Sequence, residues 1–216
     1  MKTNILHPFE NIPYFTIEAL KQSAGIESPH SARVLLHRWA KTGHIFTLKK
    51  GVYMTARFYE RHRAEPQFAA VVSAILLPQS YLSLEYILQQ HNLMTEVTYL
   101  ITCITTKNTR TITNAVGTFT YRNIQAGLYD GFSISEYFGI RYATATLGKA
   151  LFDYLYLRPI PARYRSRKNN LAEELRLNLD EVELPDQQEF ARFVHNSKSV
   201  KMTQILENFR KHIWQT

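Results

Sequence analysis

The sequence predicts an α+β chain, with a small basic head of two short helices and a hairpin ahead of a larger mixed α/β body. Three observations carry that prediction. Apolar residues recur at helical spacing over 17–24 and 29–42, and each stretch is closed by a glycine, Gly25 or Gly43. A hairpin pattern tipped by two lysines follows directly. From residue 97 onward, β-branched segments divided by turn residues run together and are flanked by helical stretches, which argues against a regular βαβ series.

Thr16 leads the first helix, Glu18 lies in its first turn, and Ile17, Leu20 and Ala24 form the stripe to be buried. Gly25-Ile-Glu-Ser28 is the turn. Ser28 and Pro29 are an N-cap and first-turn pair. Along the second helix Ala32, Leu35, Leu36 and Trp39 fall on one face at 100° per residue. The opposite face carries His30, Arg33, Val34, His37 and Lys41, with Ser31 and Arg38 on its flank. After Gly43, Ile45, Phe46 and Leu48 lead into Lys49-Lys50-Gly51, and Val52, Tyr53 and Met54 return. Glycine supplies the positive φ of the turn, and both lysines are expected to project into solvent.

A helix, a tight turn, a basic helix and a basic hairpin, in that order, read as a winged helix-turn-helix, a shape that suits the major groove of duplex DNA. A single helix with a few basic residues reads as a solvated face; the lysine hairpin behind it favours DNA. The expected contacts are Ser28, His30, Ser31, Arg33, His37, Arg38 and Lys41 on the helix and Lys49, Lys50 and Tyr53 on the hairpin. Donors on the early turns of such a helix reach base edges and phosphates.

Charge follows the same division. The net charge is +8; residues 1–63 hold ten Lys/Arg against four Asp/Glu (+6), and residues 64–216 hold sixteen against fourteen (+2). A basic head (1–63) and a nearly neutral body (64–216) are therefore expected. The single cysteine, Cys103, excludes an intramolecular disulfide and fits a reducing cytosol, and residues 1–13 lack the apolar run of a secretory leader. The longest apolar run, Phe68 to Leu77, is too short to cross a bilayer and reads as a buried helix, so no membrane is an expected partner.

In the body, Arg57 to Pro66 is polar and serves as the boundary. Helices are expected over Gln67–Leu77, Ser83–His91 and from the Thr146 cap to Leu157, with two more near 186–197 and 200–213. Val97–Thr105 reads as a strand, Thr109–Asn114 and Gly117–Ile124 as its antiparallel neighbours, and Phe132–Thr144 as further strand, giving a mainly antiparallel sheet and a helical tail. Beyond Pro159 come a basic loop (Arg163, Arg165, Arg167, Lys168) and an acidic stretch (Asp180, Glu181, Glu183).

Glu85, Asp130, Lys149 and Asp153 are the residues a metal-dependent nuclease would need. The i, i+4 spacing of Lys149 and Asp153 reads instead as a surface ion pair, and neither main strand holds an acid. Gly-rich phosphate loops, a Gly-x-Ser-x-Gly elbow and Cys/His pairs of metal-site spacing are absent from the sequence, so no catalytic residue, metal or cofactor is expected. A DNA-processing enzyme delivered by the head is the alternative reading. The six tyrosines Tyr53, Tyr59, Tyr81, Tyr86, Tyr99 and Tyr121 are read as core or interface residues before base-stacking ones.

Tyr14-Phe-Thr, Ala32-Arg33, Arg38-Trp39, Leu48-Lys-Lys-Gly-Val-Tyr-Met54, Tyr81-Leu-Ser-Leu-Glu-Tyr86, Gly117-Thr-Phe-Thr-Tyr121 and Ala145-Thr-Leu-Gly-Lys-Ala-Leu-Phe-Asp-Tyr-Leu-Tyr156 occur in an order that resembles the AbiEi family. These are antitoxin-type transcriptional regulators of bacterial phage-defence, type IV toxin–antitoxin systems, and the resemblance spans roughly 14–158. It implies a winged helix-turn-helix head, a family carboxyl-terminal domain, autorepression of a two-gene operon, and a cognate nucleotidyltransferase-type toxin, neutralised with or without direct contact. An inverted-repeat operator is expected, and monomer and homodimer on DNA both stay open.

Overall fold

The computed structural model describes residues 3–94, 99–165 and 169–214. The chain opens with a 3-10 segment, Thr3–Phe9, and a two-residue strand β1, Phe15–Thr16. In α1 (Ile17–Ala24) the Thr16 hydroxyl accepts the Ala19 amide at 3.2 Å, and Gly25, at φ 61, closes the helix. α2 spans Pro29–Lys41. β2 (Ile45–Lys49) and β3 (Val52–Thr55) form an antiparallel hairpin, and β3 also pairs with β1, giving the order β1-β3-β2. Leu6, Phe9, Phe15, Leu20, Leu36, Trp39 and Ile45 make a small core under this sheet and the two helices.

The supposed polar boundary is in part a helix, α3 (Ala56–His62), capped by Thr55, whose hydroxyl accepts the Phe58 amide at 3.1 Å. Its Arg57, Glu60 and Arg61 face solvent and Phe58 is buried, so a polar composition hid an amphipathic turn. Phe58 joins Leu48 and Met54 in the main core of the body, so the first 63 residues contribute side chains to both cores.

The body comprises α4 (Phe68–Leu76), β4 (Ser80–Leu82), α5 (Glu85–Gln90), β5 (Leu100–Thr105), β6 (Arg110–Asn114), β7 (Gly117–Asn123), β8 (Phe132–Tyr137), β9 (Ile140–Ala145), α6 (Leu147–Leu157), α7 (Leu171–Leu175), α8 (Leu184–Ser197) and α9 (Val200–Phe209). Six strands form one sheet in the order β6-β7-β5-β4-β9-β8. The expected antiparallel character holds for β6–β7, β4–β5 and β8–β9, but β7 runs parallel to β5 and β9 parallel to β4, so the sheet is mixed. The cause at β7 is local. The turn after β5 passes across the end of β7, where the Asn123 side chain donates to the Lys107 carbonyl (3.0 Å) and its amide donates to Thr109 Oγ1 (3.0 Å). β6 therefore lands outside β7, and β7 enters the gap beside β5. Of the strand expected over Val97–Thr105, Val97 and Thr98 lie outside the described residues.

Side chains alternate across the sheet and fix its layers. Tyr121 points to one face, where its hydroxyl donates to the Ser73 carbonyl of α4 at 2.9 Å. Tyr81 points to the other, where its hydroxyl donates to Asp153 of α6 at 3.0 Å. α8 packs on the far side of α6, and Gly148 admits this contact, since a Cβ there would overlap the Asp186 carbonyl. The tail helices close over Phe190, Phe209 and Trp214, whose rings stand 5.3–6.0 Å apart. Among the described residues no helix is long and apolar enough to cross a membrane.

Candidate functional site

The first turn of α2 is fixed by two local devices. Ser28, in extended backbone, accepts the Ser31 amide at 3.4 Å, and Pro29 occupies the first helical position. Ala32, Leu36 and Trp39 are buried and seat the helix on the small core, with Leu35 half-buried beside them. The far end is held twice: the Thr42 hydroxyl donates to the Arg38 carbonyl at 2.9 Å, and the His44 amide donates to the Trp39 carbonyl at 2.9 Å. Gly43 then turns the chain at φ 73.

Burying that stripe leaves the other face outward. His30, Ser31, Arg33, His37, Arg38 and Lys41 are all exposed, as is Ser28 at the cap. α2 contains no Asp or Glu. Among the described residues Arg33, Arg38 and Lys41 make no ion pair, whereas the arginines of α3 are engaged: Arg57 bonds Glu10 at 2.8 Å and Arg61 bonds the Asn11 side chain at 3.1 Å. The helix thus presents an acid-free row of donors to solvent, on a rigid seat.

The hairpin departs from expectation at Lys49. Lys50 is exposed next to Gly51, which sits at φ 79. Lys49 does not project into solvent. Its Nζ donates to the carbonyls of Ile75 (2.7 Å) and Leu76 (3.1 Å), the last turn of α4. An ammonium satisfies otherwise unpaired helix-end carbonyls and complements the negative end of the helix; burial there pushes its pKa below the ordinary value. The pairing of β2 with β3 shifts register between Thr47 and Lys49. Next to it, Asn114 Nδ2 donates to the Leu48 carbonyl at 3.0 Å, so the hairpin rests on the body at two points. Tyr53 is half-buried in β3, opposite Phe15 in register and with ring centroids 5.7 Å apart, which makes it part of the head's packing rather than a free contact. Nothing local in the sequence marks Lys49, because its partners lie 26 and 27 residues away.

The acid–lysine set does not converge at the surface. Lys149 and Asp153, expected as an exposed pair, are fully buried. Lys149 Nζ lies 2.6 Å from Asp153 Oδ1 and donates to the Leu128 carbonyl at 2.8 Å. Asp153 Oδ2 accepts from Tyr81 (3.0 Å) and Ser83 (2.8 Å). The rings of Phe152 and Phe193 stand 4.9 and 4.4 Å from the ammonium. The reason is that α6 is buried all round, between the sheet and α8, so its polar stripe has to be satisfied internally. Burial pushes the Lys149 amine down and the Asp153 carboxyl up, and their mutual attraction opposes both shifts. Asp130, by contrast, lies at the surface, 3.7 Å from Arg192. Among the described residues no three His, Cys, Asp or Glu side chains gather closely enough to hold a metal ion. In the basic loop after Pro159, Arg165 bonds Gln204 at 3.0 Å; Arg167 and Lys168 lie outside the described residues.

Compared with known proteins, the chain matches no family model and no curated sequence.

Proposed function

We propose that residues 1–63 act as a winged helix-turn-helix whose α2 enters the major groove of duplex DNA, and that the chain is a transcriptional autorepressor and antitoxin of the AbiEi type. The observation that carries this reading is the exposed, acid-free face of α2, whose cationic side chains have no ionic partner among the described residues. Phosphates and base edges supply acceptors all along such a face. Arg33, in the second turn, suits a bidentate contact with guanine. His30 and His37 flank it, and Ser28, Ser31, Arg38 and Lys41 suit the backbone on either side. Lys50 is the hairpin's phosphate contact. Lys49 and Tyr53 support the head's position instead.

The antitoxin part rests on the ordered motifs between Tyr14 and Tyr156. It assigns the body to protection against a nucleotidyltransferase-type toxin, without catalytic turnover; the enclosure of Lys149 and Asp153 supports the second half of that statement. The test is a cell carrying the cognate toxin and an operator-driven reporter. Arg33→Ala combined with Arg38→Ala is expected to release the reporter while protection from the toxin is retained. Loss of protection with repression intact would reverse the assignment of head and body.

A further inference from the structure

Val34 lies in the second turn of α2 and is 37% exposed, which makes it the one large apolar side chain of α1 or α2 left open to solvent. Its neighbours on the helix surface, three and four residues away, are His30, Ser31, His37 and Arg38, and all four are exposed. An apolar spot framed by donors on four sides is a chemical pattern with a counterpart in the major groove. There a thymine presents its C5-methyl group beside its O4 acceptor, and the paired adenine adds an N7 acceptor. No other base offers a methyl group.

Resting on the DNA-binding reading above, we infer that Val34 is a specificity-determining residue that packs against a thymine methyl group in the bound site. His37, one turn on, donates to the acceptors around it.

The experiment is binding-site selection from random duplex DNA with the full-length protein, followed by replacement of each selected thymine by deoxyuridine. That change removes the methyl group and leaves hydrogen bonding intact. For the wild type, one position per half-site is expected to lose about three- to fivefold in affinity, the contribution of roughly one buried methyl group. For Val34→Ala and Val34→Ser the same replacement is expected to have no effect, with far-UV circular dichroism reading whether α2 is kept. Equal thymine-to-uracil ratios in the wild type and both variants overturn this inference and leave the DNA-binding reading standing. A protein that selects no sequence and binds no duplex overturns both.

Discussion

Lys49 Nζ lies 2.7 Å from the Ile75 carbonyl, so the hairpin tip is bonded to the end of α4 and turns only Lys50 to solvent. The two adjacent lysines therefore have separate tasks. Lys49→Ala removes charge-assisted bonds to helix-end carbonyls and should lower stability by about 1–2 kcal/mol, read from urea denaturation. Lys50→Ala should leave stability unchanged and weaken binding to all DNA sequences alike. An unaltered urea midpoint for Lys49→Ala would show that the α4 contact contributes nothing.

The Lys149–Asp153 pair should behave as a buried one. Lys149→Met or Asp153→Asn leaves the other group enclosed without its partner and should cost about 3–5 kcal/mol. The combined Lys149→Met, Asp153→Asn variant should recover part of that loss, so a double-mutant cycle gives a large coupling energy. Two single variants within a few tenths of a kcal/mol of wild type would return the pair to the surface.

Stability should fall in alkali earlier than lysine titration alone requires. Burial pushes the Cys103 thiol up to about 12 from an ordinary value near 9.0. The folded pKa is raised, so the unfolded chain loses this proton first. The contribution is complete below about pH 9 and is lost as pH rises toward 12. Tyr81 and Tyr121, whose hydroxyls are also pushed up by burial, add to the decline above their ordinary value of 10.0. Cys103→Ala should flatten the pH dependence of unfolding free energy by about one proton just above pH 9. A thiol that reacts with a disulfide reagent in the native protein at neutral pH would contradict this.

The isolated head should be unstable. Cutting the chain after residue 63 uncovers Leu48, Met54 and Phe58, which are buried in the body's core, and frees Lys49 and Asn114's partner carbonyl at Leu48. Residues 1–63 alone should therefore unfold at markedly lower urea than the full chain, or associate through the exposed patch. Equal midpoints for the two would make the head an independent unit.

What the sequence made legible was mostly what is local. The caps Thr16, Ser28 and Thr146 sit where their spacing to the next apolar residue puts them, since each side chain bonds an amide three residues on. The buried stripe Ala32, Leu36 and Trp39 and the exposed face opposite follow from helical period alone. The errors at β4, at the Lys149–Asp153 pair and at Lys49 have non-local causes. β4, three residues long, has no periodicity to read, and it exists because β5 and β9 pair with it. The spacing of Lys149 and Asp153 is the same for an exposed pair and an enclosed one; only the arrival of β4 on one side and α8 on the other decides which. Lys49 and Lys50 are chemically identical neighbours, told apart by where the end of α4 happens to lie.

The central claim, that the exposed face of α2 binds duplex DNA, is tested most directly by the salt dependence of affinity for the selected operator. With Arg38, Lys41, Lys50 and the amino-terminal end of α2 neutralising roughly four phosphates, a plot of log K against log salt should fall with a slope of about −3 to −4. Lys50→Ala should reduce that slope by about one, and Arg33→Ala should relax a single base position. A slope near zero, or Arg33→Ala and Lys50→Ala variants that bind every sequence as the wild type does, would contradict the account.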